Sequence, residues 1–151
     1  MSSDLVNSQL FDDWTFYNRF REDLKHSKQE VIIESPFITS QRVSSLVRDF
    51  EHLISKKVRV YIITRSPEEH DLNMKHQAEE AIRRFETIGV HVILSSEYSH
   101  RKLAIVDRKI LWEGSLNILS QTYSKEFMRR IESESLANEC FEFVKLGKFI
   151  Y

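Results

Sequence analysis

The chain has 151 residues, of which 41% are apolar and only three are Gly and two Pro. That composition fits one compact domain, residues 1–151, with a core that hides roughly 70% of the unfolded surface. Basic and acidic residues, 22 and 23, leave a formal charge of -1, which excludes a global electrostatic signature of a nucleic-acid binder, so any attraction for phosphate is local. No segment approaches ~18 uninterrupted apolar residues, and Met1 to Leu10 has no basic stretch followed by an apolar run; both predict a soluble, cytoplasmic chain. Cys140 stands alone, which excludes an intrachain disulfide and a multi-cysteine metal cage and predicts a buried, inert thiol.

In chain order, Asp12 or Asp13 can cap a first helix in which Trp14, Tyr17, Phe20 and Leu24 recur at helical spacing, with Arg19, Glu22 and Asp23 outward. EVIIESPFI, residues 30–38, is an apolar run rich in β-branched residues, and Pro36 predicts that regular pairing stops near Ser35. Val43 to Lys56 places Val43, Leu46, Val47, Phe50 and Ile54 on one helical stripe, and VRVYIIT, residues 58–64, reads as the next strand. His70 to Ile88 repeats the helix with Gly89 as its C-terminal cap, and VHVIL, residues 90–94, the strand. This order predicts parallel strands joined by crossover helices.

Beyond Ser99 the rhythm changes. KLAIV and ILW are separated only by Asp107, Arg108 and Lys109, a hairpin spacing. FMRRI, residues 127–131, supplies one more short strand. Leu136 to Phe149 reads as a closing helix with Leu136, Cys140, Phe143, Val144 and Phe149 available for the core. The predicted fold is α/β, a mixed β-sheet flanked by helices on both faces.

The segment HRKLAIVDRKILWEGSLN carries the chemistry. It sets His100, Lys102, Asp107, Gly114, Ser115 and Asn117 in the order H-x-K-x4-D-x6-G-S-x-N, six specified positions in eighteen. His100 and Lys102, two apart at a strand start, leave the same face, an imidazole beside an ammonium. A neutral imidazole can attack phosphorus, a protonated one can give a proton to a leaving oxygen, and Lys102 supplies fixed positive charge to the non-bridging oxygens. That chemistry requires no metal and no cofactor. Gly114 permits close backbone approach, while Ser115 and Asn117 offer a hydroxyl and an amide to the same phosphate. Asp107 is an odd number of residues from His100 and precedes Arg108 in the predicted turn, so it reads as structural support.

These residues resemble the HKD motif of the phospholipase D superfamily, and the resemblance covers most of the chain, including the ESPFI strand end. It implies a half-site domain in which His100 is the nucleophile forming a phosphohistidine or its general-acid partner, with Lys102 and Asn117 holding the phosphate. It also implies a glutamate beyond the motif that fixes the histidine tautomer. Glu126 is the candidate, although Ser124 stands where the family's N-x-E arrangement has Asn. The string LWEGSLNILS with KEFMRRI is similar to phospholipase D-like domains attached to bacterial helicases, which tilts the substrate towards DNA or RNA.

The implied mechanism needs two histidines on opposite sides of the phosphate, and the chain offers one such motif. His26 and Lys28 form the only other H-x-K, but Ile33 stands where Asp is needed and no G-S-x-N follows. A homodimer completing the active site is therefore expected, or else a longer helicase or restriction-type protein whose partner motif lies elsewhere. Arg65, Arg101, Arg108, Lys109, Lys125, Arg129 and Arg130 can track a nucleic-acid backbone or form a scattered solvated face. His70, His76 and His91 lack metal-ligand spacing, and for Trp112 and Phe37 core packing outweighs base stacking. Two alternatives to a nuclease stand beside it: a lipid phosphodiesterase or transphosphatidylase, disfavoured because no anchor for stable membrane association is visible, and a non-catalytic binding or dimerisation module.

Overall fold

The computed structural model describes residues 6–96, 99–120 and 124–150. Among them, seven strands form one mixed sheet in the order β1-β7-β6-β5-β2-β3-β4. The strands are β1 (Asn7–Asp12), β2 (Glu30–Glu34), β3 (Arg59–Arg65), β4 (His91–Ser95), β5 (Leu103–Val106), β6 (Ile110–Gly114) and β7 (Phe127–Glu132); the helices are α1 (Phe16–His26), α2 (Ser40–Ser55), α3 (Leu72–Ile88) and α4 (Glu134–Phe143). β2, β3 and β4 are parallel through crossovers by α2 and α3, and β5, β6, β7 and β1 add antiparallel. Helices lie on both faces, as predicted. Phe16, Phe20, Val43, Leu46, Phe50 and Phe85 of α1 to α3 pack with Val31, Ile33, Val60, Ile62 and Trp112 on one face. Ala137 of α4, Leu146 and Ile150 cover Ile32, Ile63, Leu103, Ile105 and Ile131 on the other.

Both crossover helices form where the sequence predicts them, α2 starting earlier, at Ser40 rather than Val43, and α3 later, at Leu72 rather than His70. Gly89 closes α3 at φ 104°, the left-handed conformation that favours glycine. Asp107 and Arg108 take φ of 54° and 55°, and Lys109 N–H donates to Val106 O at 3.0 Å, the two-residue turn whose twist suits a hairpin. Arg108 pairs with Glu30 at 2.6 Å and stacks 3.6 Å over Phe141, contacts that offset its left-handed backbone.

Three expectations are corrected. The chain begins the sheet with β1, an edge strand whose mostly exposed residues show no apolar run; Asp12 ends it. The Asp12 carboxylate accepts from Trp14 N–H and Thr15 N–H, turning the chain into α1, which starts only at Phe16. Trp14 therefore lies outside the helix, 85% exposed, and Phe16 takes its place in the core. Asp23 is not outward: it is buried and accepts from Trp112 Nε1–H (2.8 Å), Arg130 Nε–H (2.9 Å) and Arg130 Nη2–H (2.9 Å). Finally, the closing helix is shorter than predicted. Ser133 caps it by accepting from Leu136 N–H, it ends at Phe143, and Lys145 in the left-handed region at φ 58° turns the chain into a short 3-10 segment, Leu146–Lys148.

Candidate active site

Apart from Asp107, the motif collects at one end of the sheet, where β2 ends, β5 begins, β6 ends and β7 begins. Arg101 anchors it. Its guanidinium takes the buried Glu34 carboxylate through two bonds, Nε–H at 2.8 Å and Nη2–H at 3.2 Å, which ties the start of β5 to the end of β2. His100 and Lys102 flank that anchor, His100 exposed and Lys102 half-buried. Lys102 Nζ donates to His100 O at 2.6 Å, so the ammonium folds back over the backbone of the histidine.

Gly114 is required by the chain rather than by a ligand. A Cβ there would strike Phe127 O and come within 2.9 Å of Met128 Cα, so only glycine lets β7 cross at this point. Ser115 is then held to β7 on both sides: its N–H donates to Phe127 O (3.0 Å) and its Oγ accepts from Phe127 N–H (3.1 Å). That places the Ser115 hydroxyl beside Glu126. Hydrogen bonds from Ser115 and Ser124, the latter at 2.7 Å, hold the Glu126 carboxyl below its ordinary range against the opposing effect of burial, with a lesser contribution from the Lys102 charge. Glu126 is therefore ionised at neutral pH, and it shares one cluster with Lys102 and Ser115.

Asn117 lies on the loop after β6, where Ser120 N–H donates to its carbonyl. Its Oδ1 is buried and has no hydrogen-bond partner among the described residues, a costly state for an amide unless something else meets it. Three residues that the sequence reading did not single out for the site hold this loop. Tyr17 Oη–H donates to Ile118 O (2.7 Å), Thr39 N–H to Leu119 O (3.0 Å), and Leu119 N–H to Ser35 Oγ (3.3 Å). Burial pushes the Tyr17 phenol up to about 12, against the nearby Arg42 charge, so it remains a donor. Only the Ser35-Pro36 strand end carried a sequence signal for this arrangement.

Asp107 sits at the other end of β5, about 16 Å along the strand from Lys102 at ~3.3 Å per residue. Its carboxylate accepts from Ser27 Oγ–H and from the N–H groups of Lys28, Gln29 and Glu30 at 2.9 to 3.0 Å. Burial alone would raise its pKa, but these bonds outweigh it and hold the carboxyl below its ordinary range. It secures the turn between α1 and β2, which also accounts for Lys28.

The basic side chains do not form one track. Arg65 is paired with Glu69, Arg101 with Glu34, Arg108 with Glu30 and Arg130 with Asp23, and Arg108 and Lys109 lie at the far end with Asp107. Trp112 is fully buried, as expected. Phe37 is half-buried beside the His70 ring, with centroids 5.2 Å apart, and His91 stacks on Tyr61. Burial, then Glu113 and Glu34, pushes the Cys140 thiol up to about 11, so it stays protonated.

A mixed sheet with helices on both faces, bearing H-x-K at the start of one strand and G-S-x-N at the end of its neighbour, defines a domain of the phospholipase D type. The chain belongs to the phospholipase D superfamily of phosphodiesterase-type enzymes: residues 20–144 match the family described as cardiolipin synthase, PLD-like domain. Solved structures agree in fold. The phospholipase D family member Nuc from Salmonella typhimurium superposes with a TM-score of 0.76 at 16% identity, covering 91% of each chain. NucT from Helicobacter pylori gives 0.71 at 17% identity, covering 93% of this chain and 94% of its own. Phosphatidylserine synthase from Haemophilus influenzae Rd KW20 gives 0.65 at 15%, covering 87% of this chain but 36% of its own. No curated protein matches the chain significantly. Among the described residues, no helix is long and apolar enough to cross a membrane.

Proposed function

We propose that residues 1–151 form one half of a metal-independent nuclease, cleaving DNA or RNA phosphodiesters at a site shared by two copies of the chain. The observation that carries this reading is the cluster at the motif end of the sheet, in which Lys102, Ser115 and an ionised Glu126 come together and the Lys102 ammonium lies on the backbone of His100.

The reaction runs in two displacements. His100 of one protomer attacks phosphorus, forming a P–N bond as the P–O bond to the leaving group breaks; the same histidine of the second copy, protonated, gives its proton to the departing oxygen. That second histidine then takes a proton from water, whose oxygen attacks phosphorus and breaks the P–N bond, returning both groups to their starting states. Lys102 and the Asn117 amide N–H meet the non-bridging oxygens, where negative charge builds up. The carboxylate of Glu126 orients the imidazole and fixes its tautomer. Asp107 and Gly114 support the motif from outside the reacting centre.

A nucleic-acid substrate is favoured because the chain covers 91% and 94% of the nucleases Nuc and NucT, but 36% of the phosphatidylserine synthase. The family description and that synthase support a lipid phosphodiesterase as the second reading. Labelled single- and double-stranded DNA, RNA and a phosphatidyl lipid, each in excess EDTA, separate the two. The wild type should cut a nucleic acid, and His100→Ala should lose about 10³-fold or more of that activity while keeping its oligomeric state. Cleavage of lipid alone, or of nothing by an intact dimer, overturns the nuclease reading.

A further inference from the structure

An open groove of about 620 Å³ lies between α4 and the sheet. β7 leaves the motif end at Phe127 and α4 returns over β6 and β7, so its last residue, Phe143, comes back to that end. Phe127 and Phe143 line the groove while 56% and 84% exposed; neither ring is needed by the core. Lys102 and Gly114 of the motif line the same groove, so its mouth opens at the motif end of β5 and β6.

Its charges nearly cancel. Arg129 is the cross-strand partner of Glu113, Arg101 is held by Glu34, and Glu139 of α4 completes the lining. Such a groove offers little attraction to a phosphate of its own. Its two exposed aromatic faces, with Glu113, Arg129 and Glu139 set around an aliphatic floor, suit a flat, uncharged ring with donors and acceptors on its rim. A base paired inside a duplex hides both its faces and its edge.

We infer that the groove is a nucleobase subsite, in which the base beside the scissile phosphate of a single-stranded nucleic acid stacks on Phe143 and Phe127. This rests on the nuclease reading for the phosphate. In a two-copy site each groove takes the base on one side of the scissile bond, and single strands are preferred over duplex.

The test compares a single-stranded thymidine oligonucleotide with an abasic strand of equal length, by fluorescence anisotropy and by cleavage, for wild type, Phe143→Ala, Phe143→Leu and Phe143→Tyr. Because Phe143 is exposed, unchanged thermal unfolding serves as the control for folding. Wild type should bind the base-bearing strand about tenfold more tightly than the abasic one, the size ordinary for one stacked aromatic. Phe143→Ala and Phe143→Leu should lose that preference, and Phe143→Tyr should keep it. A preference that survives Phe143→Ala overturns the subsite, as does a Phe143→Ala defect confined to phosphatidylglycerol vesicles, which would make the groove a lipid contact. Binding is read separately from cleavage, so a protein that cuts no nucleic acid yet shows the Phe143-dependent preference sinks the catalytic reading and leaves the subsite standing.

Discussion

Asp107 belongs to the motif by spacing, yet it works at the end of β5 remote from His100, collecting four hydrogen bonds that fix the turn between α1 and β2. Those bonds favour the ionised carboxylate. Its folded-state pKa is depressed, so the stability it contributes is present above the ordinary carboxylate range and is lost as pH falls through the folded value. Asp107→Asn, which keeps the shape and one acceptor but no charge, should lower stability by about 1–2 kcal/mol at pH 7. Denaturant unfolding of both proteins from pH 7 downwards checks this: the gap should close below the ordinary carboxylate range. A gap that stays constant with pH would mean the charge on Asp107 contributes nothing.

Among the elements, β7 joins the two functions of the sheet. Phe127 at its start holds Ser115, and Arg130 three residues on is buried against Asp23 of α1, with Trp112 of β6 sharing the same carboxylate. Removing one partner of such a pair leaves the other charge buried and unmatched, which costs about 3–5 kcal/mol. Arg130→Ala should therefore unfold at much lower denaturant than wild type; a change within about 0.5 kcal/mol, the range of ordinary surface substitutions, would show that the pair is not structural. This element also marks where sequence reading stops. The stripes of α2 and α3 and the apolar runs of β2 and β3 were legible because each carries its own burial pattern. Asp23 was not, because the cation that lets it be buried is 107 residues away in sequence. β1 left no trace because it is an exposed edge whose pairing is supplied by β7. In the site, the spacing of H-x-K and G-S-x-N was visible, whereas the bonds from Tyr17, Ser35 and Thr39 depend on loops that meet only in the fold.

For the whole molecule, a near-neutral chain with most arginines engaged by carboxylates has little long-range pull on a polyanion. Function must come from a small, local site, and that site offers one histidine where the proposed chemistry uses two. The central claim is that each active centre takes one His100 from each of two copies. It is tested most directly by co-refolding wild type with His100→Ala in varied proportions, at constant total protein, and measuring nuclease activity after exchange is complete. If both histidines act on one phosphate, only dimers with two wild-type chains are active, and activity follows the square of the wild-type fraction, about one quarter at equal mixing. Activity that falls in direct proportion to the wild-type fraction would contradict the shared site and place complete catalysis within a single chain.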